Sequence, residues 1–172
     1  ASAFQGCSEL TSVTIPESVT IINSNAFTSC SKLEEIVIPS TVASIGNKAF
    51  YGCSNLKTLT FAATPEGQTP VNLVILDTPN GSSDNGYTNS PFYGCTSLKN
   101  VVLPERLTVV GRLAFGGLVS GRYGEKYIPS LESISLPSTL KEIHEMAFLN
   151  ARNLKTVTFA SGTTLKDACD GK

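Results

Sequence analysis

Hydrophobic residues recur along this chain at fixed offsets within a unit of 23 residues. Two consecutive units, residues 3–25 and 26–48, read AFQGCSELTSVTIPESVTIINSN and AFTSCSKLEEIVIPSTVASIGNK. They share the template A-F-x-G-C-x-x-L-x-x-V-x-I-P-x-x-V-x-x-I. The phenylalanine of the template occurs six times, at Phe4, Phe27, Phe50, Phe92, Phe115 and Phe148. A fixed period of this length is typical of a solenoid, in which each unit stacks on the previous one.

The L-x-x-V-x-I part of the template alternates with a period of two, which predicts one short strand per unit. Val13 and Ile15 would then point inward, and Ser12 and Thr14 would point outward. The equivalent inward pairs are Ile36/Ile38, Leu59/Phe61, Val101/Leu103, Ile134/Leu136 and Val157/Phe159. Strands of this kind, stacked in register, predict a parallel sheet with one buried face.

The rest of the template predicts two further walls. A proline follows the strand in four units and ends it, because proline has no N–H for the ladder. The V-x-x-I segment then buries a second apolar pair. The Ala-Phe segment is predicted as a short helical turn that ends in a residue with positive φ. That residue is Gly6, Ser29, Gly52, Gly94, Gly117 or Asn150 in the six units.

Two units carry insertions, near residues 62–90 and 116–128. The first insertion includes residues 71–76 (VNLVIL), which can form a strand of its own before a polar, turn-rich stretch. Insertions in repeat proteins emerge as surface loops. We therefore predict a single solenoid domain over residues 1–172, with about six units. Because solenoids need a polar end cap and this chain opens inside a unit, we expect an N-terminal cap upstream.

The cysteines follow the repeat rather than a metal-binding pattern. Four of the five occupy the same template slot, at Cys7, Cys30, Cys53 and Cys95. The same slot holds Leu118 and Ala151 in the other units, which indicates a small buried apolar position. There is no C-x-x-C pair of the kind that binds zinc.

Composition and motifs argue against several classes of function. The chain has 13 Lys and Arg against 14 Asp and Glu, without basic clusters, which argues against nucleic-acid binding. No apolar run has the length of a membrane span, and no cofactor motif is present. The single histidine, His144, lies beside Glu142 and Glu145 without a convergent nucleophile. We predict an exposed rim residue there and no enzyme.

Taken together, these motifs resemble the BspA-like, treponemal-type class of leucine-rich repeats, over nearly the whole chain. The resemblance implies a leucine-rich-repeat solenoid with one strand of a parallel β-sheet per turn of about 23 residues. Short helical or 3-10 turns and short strands would form the other walls. It also implies a bacterial protein that is secreted or on the cell surface. Its repeats would mediate adhesion to host matrix proteins or other surface proteins. A stalk or spacer without a ligand is the alternative.

The resemblance brings no binding residues, so these are predicted from the sequence itself. The outward face of the sheet is small, nearly uncharged and without aromatic residues, and it includes Glu35 and Asn100. Aromatic and arginine side chains, which often anchor partners, lie in or beside the insertions instead. They are Tyr87, Tyr93, Arg122, Tyr123 and Tyr127. The alternative is that these tyrosines only hold the insertions against the solenoid. On the neighbouring column, ion pairs are expected between Glu34 and Lys57 and between Lys99 and Glu132.

The first insertion also places several oxygen-bearing side chains close together. Asp77, Asn80 and Asp84 are the candidate calcium ligands among them. No glutamate closes an EF-hand loop, and Asp, Asn, Gly and Ser are also the ordinary residues of turns. A turn without metal is therefore the preferred interpretation.

Overall fold

The computed structural model describes residues 1–75, 90–116 and 130–164. Within these ranges the chain forms ten short strands and no helix. The strands are β1 (Ile21–Ile22), β2 (Glu35–Ile38), β3 (Ser44–Ile45), β4 (Thr58–Phe61), β5 (Leu73–Ile75), β6 (Asn100–Val102), β7 (Leu107–Val110), β8 (Ser133–Leu136), β9 (Glu142–Ile143) and β10 (Thr156–Phe159). Every strand pairing is parallel, as the repeat predicts.

The V-x-x-I segments form one continuous wall. Strands β1, β3, β5, β7 and β9 pair in that order, so the short strands predicted outside the L-x-x-V-x-I sheet are confirmed on this wall. The predicted strand of the first insertion is confirmed as β5, which is the central strand of this sheet. Leu73 and Ile75 are separated by one residue rather than two, and the register against β7 shifts between Leu73 and Val74. The missing residue is thus absorbed as a bulge.

The L-x-x-V-x-I strands do not form the single continuous sheet that the repeat predicts. Strand β2 pairs with β4, and β6, β8 and β10 form a separate sheet. No backbone hydrogen bond joins β4 to β6, although both strands are fully described. The break falls where the third unit carries its insertion, so the two strands belong to turns of different length. In the first unit, residues 12–15 do not form the predicted strand.

The inward positions of these strands are buried in the middle of the solenoid. Ile36 and Ile134 are both 1% exposed and form part of the core. In the last strand, Val157 and Phe159 lie in register with the buried Ile134 and Leu136, as predicted, but they are 43% and 49% exposed. These two side chains lie on the last described turn, so no further described turn packs over them.

The phenylalanines of the template form a continuous stack along the third wall. Successive ring centroids are 5.3–5.9 Å apart and the rings lie within 7° of parallel, from Phe4 to Phe148. Backbone hydrogen bonds run beside the stack, for example from the Phe27 N–H to the Ala49 carbonyl at 2.7 Å. Side chain and main chain therefore join the same pairs of units.

The Ala-Phe segment is not the short helical turn that we predicted. In the second unit it consists of three successive reverse turns, closed by N–H donors on Ala26, Thr28 and Cys30, each bonded to the carbonyl three residues earlier. Positive φ values at Asn25 and Ser29 explain the difference, because a right-handed helix needs negative φ throughout.

Positive φ is confirmed at the predicted slot and also occurs at a second slot that we did not predict. The predicted positions are Gly6, Ser29, Gly52, Gly94 and Asn150, whereas Gly117 lies outside the described residues. The second series precedes the alanine of the template, with φ between 54° and 61°. Its members are Ser2, Asn25, Lys48, Leu113 and Met146. None of them is glycine, so composition does not reveal this slot.

Candidate functional site

The cysteine slot is a structural position. The Sγ of Cys53 donates a hydrogen bond to the carbonyl oxygen of Phe27 at 3.1 Å, and Cys30 and Cys95 repeat the contact with the phenylalanine one unit earlier. Burial raises the pKa of the Cys53 thiol to about 12 and that of Cys95 well above its usual range. These thiols stay protonated, so they are neither nucleophiles nor metal ligands at neutral pH.

Other candidate chemistry is sparse across the described ranges. They hold no group of three or more His, Cys, Asp or Glu side chains placed to bind a metal ion. His144 is partly exposed, and its Nε2 lies 3.3 Å from the Glu142 carboxylate. On the same rim, Arg112 pairs with Glu145 at 2.9 Å. His144 thus belongs to a set of rim charges, in line with the sequence prediction.

The outward side chains of the L-x-x-V-x-I strands form a surface that we call the strand face. It consists of Glu35, Val37, Thr58, Thr60, Asn100, Val102, Ser133, Ser135, Thr156 and Thr158. Val37 and Val102 are 51% and 70% exposed, so two apolar side chains face solvent here. Asn100 accepts a hydrogen bond from the Ser133 hydroxyl at 2.7 Å, and Glu35 is exposed.

A column of ion pairs runs beside the strand face. The predicted pairs between Glu34 and Lys57 and between Lys99 and Glu132 are confirmed, both at 3.1 Å. Lys155 also reaches Glu132 at 3.1 Å, so one carboxylate bridges two lysines on neighbouring turns. Hydrogen bonds from Lys99 and Lys155 lower the pKa of Glu132. The column therefore presents fixed charges at the edge of a nearly neutral face.

The structure separates the predicted binding residues into three groups. Glu35 and Asn100 lie on the strand face. Tyr93 is only 6% exposed and its ring stacks on Tyr51 at 5.3 Å, which gives a ligand little area to contact and favours the packing alternative. The remaining predicted residues lie outside the described residues. They are Tyr87, Arg122, Tyr123, Tyr127 and the calcium candidates Asp77, Asn80 and Asp84.

One charged residue of the core was missed by sequence reasoning. Arg106 is 4% exposed, in a template slot that holds Ser18, Thr41 or Thr139 in other units. Its Nη2 donates to the Pro39 carbonyl at 2.7 Å, and its Nη1 donates to the carbonyls of Val42 and Val71. The available signal was an arginine where other units carry a small hydroxyl residue.

Arg106 borders a cleft beside the first insertion. The cleft has a volume of about 410 Å³ and lies between the third and fourth units, where residues 62–70 extend the corner of the third turn. Its lining consists of Phe61, Ala62, Ala63, Thr64, Pro70, Pro104, Glu105 and Arg106. The lining is thus mostly apolar, and its polar residues are Thr64, Glu105 and Arg106.

A parallel solenoid with stacked phenylalanines on one wall and short strands on the other two defines this chain as a repeat protein. Its sequence matches the BspA type leucine rich repeat region in six copies, over residues 1–67, 76–120 and 121–169. The chain therefore belongs to the BspA type leucine-rich repeat family. Domains of this family are generally protein-interaction modules and are typically non-enzymatic.

Solved structures of three bacterial proteins are similar to this chain. A leucine rich cell surface protein from Faecalibacterium prausnitzii A2-165 superposes with a TM-score of 0.58 and 28% identity, covering 86% of this chain and 31% of that one. A leucine rich repeat protein of T. pallidum superposes with a TM-score of 0.49 and 24% identity, covering 81% of this chain and 63% of that one. A leucine-rich repeat protein of Bacteroides ovatus ATCC 8483 superposes with a TM-score of 0.34 and 24% identity, covering 86% of this chain and 43% of that one.

The fold assignment rests on the family match and on the F. prausnitzii structure. This chain spans about a third of the length of that protein, with 31% covered. No curated protein sequence matches the chain. In the described part of the chain, no helix is both long enough and apolar enough to cross a membrane.

Proposed function

We propose that this chain is a non-enzymatic adhesion module of a bacterial cell-surface or secreted protein. Its ligand would be a protein of the host matrix or of another cell surface. The family and the cell-surface relative from F. prausnitzii support this location and this class of partner. A spacer without its own ligand is the competing function.

The observation that carries the proposal is the exposure of apolar side chains on the strand face. Val102 is 70% exposed and Val37 is 51% exposed, on neighbouring sheets that face the same way along the solenoid. Neither side chain contributes to the core, whose residues lie on the opposite side of the same strands. A spacer gains nothing from valines in water, whereas a partner that covers them gains about 25 cal/mol per Å² of apolar area buried.

Charges beside this face would set the register of a protein partner. The Glu34–Lys57 and Lys99–Glu132–Lys155 groups lie at its edge, and all their members except the half-buried Glu132 are exposed. Rim charges of this kind contribute mainly to association rate and specificity. The insertions that carry Tyr87, Arg122, Tyr123 and Tyr127 remain part of the proposal as a second contact region.

Binding of the purified chain to a panel of extracellular matrix proteins, measured by surface plasmon resonance, tests the proposal. The face variant Val37→Lys/Val102→Lys is compared with Lys141→Glu, which changes an exposed charge beside β9 on the other sheet. A third variant replaces residues 77–88 and 118–127 by short turns, which leaves β5 in place. Far-UV circular dichroism and melting establish that each variant is folded.

The outcomes separate the alternatives. Saturable binding that the face variant loses and Lys141→Glu keeps supports adhesion through the strand face. Binding lost only in the third variant moves the contact to the insertions. If the unmodified chain binds no member of the panel, the spacer function is favoured and the adhesion proposal fails for these ligands.

A further inference from the structure

Phe61 occupies an inward position that is covered less completely than its equivalents in other turns. It is the last residue of β4, and the equivalent Ile38, Leu103 and Leu136 are 0%, 4% and 2% exposed. Phe61 itself is only half-buried, although its turn lies in the middle of the solenoid. The strand of the next turn, β6, forms no backbone hydrogen bond with β4, and this break in the sheet leaves the ring accessible.

The cleft beside the first insertion opens this part of the core to solvent. Its lining combines Phe61 with the rings of Pro70 and Pro104 and with the methyl groups of Ala62 and Ala63. Ala63 and Pro70 are exposed and the other three residues are half-buried, so a ligand can reach the cleft from outside. Its volume of about 410 Å³ falls in the range of small-ligand pockets and accommodates one large side chain.

The two charged residues of the lining are already engaged elsewhere. Arg106 is 4% exposed, and both of its Nη atoms donate to carbonyl oxygens of residues outside the lining. The Glu105 carboxylate accepts hydrogen bonds from the Ser138 N–H at 3.1 Å and the Ser138 hydroxyl at 2.6 Å. A charged ligand group would lose its water in the cleft without gaining a free partner of opposite charge. We therefore expect a neutral, apolar ligand.

The cleft continues the strand face. Val102 points outward at the end of β6, and the buried Leu103 points inward. The N–H of Leu103 still bonds to the Ser135 carbonyl at 3.0 Å, so the ladder extends past the end of β6. Pro104 therefore lies on the same side as Val102, two residues and about 7 Å further along the chain. A partner that covers Val102, which is 70% exposed, thus reaches the mouth of the cleft.

We propose that the cleft is the anchor pocket for an aromatic side chain, with tryptophan as the best fit, of the protein that binds the strand face. An aromatic ring buries a large apolar area and packs well on the ring of Phe61. Buried aromatic anchors of this kind carry much of the binding energy of protein interfaces. This role rests on the adhesion function proposed above and adds the chemistry by which the partner is held.

A direct test titrates three neutral probes into the full chain, the N-acetyl amides of tryptophan, leucine and alanine. The chain contains no tryptophan, so the emission of the tryptophan probe is observed without a protein tryptophan. This emission is expected to shift to shorter wavelength on binding, and the methyl NMR signals of Ala62 and Ala63 are expected to move. The tryptophan probe is expected to bind about threefold to tenfold more tightly than the leucine probe, because its ring buries more apolar area.

Two variants with the same introduced charge locate the binding. Ala63→Asp places a carboxylate in the cleft, and Thr69→Asp places one on the same corner but outside the lining. Both residues are exposed, so both variants are expected to fold, which circular dichroism and melting check. Ala63→Asp is expected to weaken binding of the tryptophan probe about tenfold, because the ligand would desolvate the new charge. Thr69→Asp is expected to leave it unchanged.

The same two variants are then measured against each matrix protein that binds the unmodified chain. Ala63→Asp is expected to weaken this binding about tenfold relative to Thr69→Asp, as loss of an anchor contact does. Probe binding combined with matrix-protein binding that Ala63→Asp does not affect would overturn the role of the cleft as an anchor.

The probe titration is decided separately from the matrix panel. Undiminished probe binding to Ala63→Asp, no preference for tryptophan over alanine, or unmoved methyl signals of Ala62 and Ala63 would overturn the cleft as an aromatic site, whatever the panel shows. If no matrix protein binds the unmodified chain, the adhesion function and the anchor role fail together, and the probes still show whether the cleft takes an aromatic ring.

Discussion

The sulfur of Cys53 lies 3.1 Å from the carbonyl oxygen of Phe27, which belongs to the preceding unit. The same contact joins Cys30 to Phe4 and Cys95 to Phe50. Each thiol donates a hydrogen bond and fills a small apolar space, so this position favours cysteine over alanine. The link between units runs from the side chain of one turn to the main chain of the turn before it.

The buried thiols predict a loss of stability at alkaline pH. The pKa of Cys53 is raised to about 12 from 9.0 by burial. A raised pKa means that the contribution of the thiol is fully present below pH 9 and is lost as pH rises towards 12. Each such thiol is expected to lower the free energy of unfolding by about 1.4 kcal/mol per pH unit in this window.

Urea unfolding of the wild type and of Cys53→Ala between pH 8 and pH 11 measures this effect. Alanine occupies the slot at Ala151, so it is compatible with the fold. The variant is expected to show a shallower decline than the wild type, because one ionising thiol is gone. Lysine and tyrosine titration affects both proteins equally, and two parallel pH profiles would contradict the prediction.

The phenylalanine stack predicts that the loss of stability on truncating a phenylalanine depends strongly on its position in the stack. Phe50 is fully buried and stacks between Phe27 and Phe92, whereas Phe4 is 42% exposed and, among the described rings, stacks on Phe27 alone. Phe50→Ala is expected to lower the free energy of unfolding by about 3–5 kcal/mol. Phe4→Ala serves as the matched control and is expected to cost about 1 kcal/mol, because it creates no enclosed cavity. Comparable losses in the two variants, measured in urea, would count against the stack as the centre of stability.

The walls of the solenoid were predictable because each one has a periodic side-chain signature. Phenylalanine at a fixed offset gives the stack, and alternation in L-x-x-V-x-I gives the strands. The slot of Gly6, Gly52 and Gly94 was predictable too, since glycine tolerates positive φ. These signals are local and repeat in every unit.

Other features depend on contacts that no local pattern records. Lys48 and Leu113 adopt positive φ although neither residue favours it, and the carbonyl of each accepts a hydrogen bond from the N–H three residues later, which closes a reverse turn. Two of the three carbonyl partners of Arg106 lie 64 and 67 residues away in sequence, at Val42 and Pro39. The candidate cleft follows from the extended corner at residues 62–70, whose path the template does not specify.

Positive φ at a residue other than glycine predicts a stabilising substitution. Ser29 has φ of 62° and is exposed, in the slot where three described units carry glycine. Ser29→Gly is expected to raise the free energy of unfolding by about 0.5–1 kcal/mol, because relief of left-handed strain exceeds the added entropy of the unfolded chain. Ser31→Gly, two residues later and without positive φ, is expected to destabilise by a similar amount. Thermal unfolding of both variants checks the opposite signs, and a loss in both would refute the strain argument.

The bridge from Lys99 to Glu132 to Lys155 predicts that the pKa of Glu132 is lowered and that both lysines contribute to this. Hydrogen bonds from Lys99 and Lys155 hold the pKa of Glu132 below its ordinary 4.5, and the positive charges of the two lysines contribute less. A depressed pKa means that the stabilisation by this carboxylate is present above pH 4.5 and is lost as pH falls through the lowered value. The pKa is expected to rise in Lys99→Met and in Lys155→Met, and to rise furthest in the double variant.

Carboxyl-carbon NMR of Glu132 through an acid titration gives this pKa directly. Lys57→Met is the control, because Lys57 pairs with Glu34 and immediately precedes β4, which belongs to a different sheet. It is expected to leave the titration of Glu132 unchanged. Since both lysines are exposed, 1 M salt is expected to reduce the difference between the wild type and the double variant. If Lys57→Met raises the pKa of Glu132 as much as Lys99→Met or Lys155→Met does, the charges of the whole surface, and not the bridge to these two lysines, set this pKa.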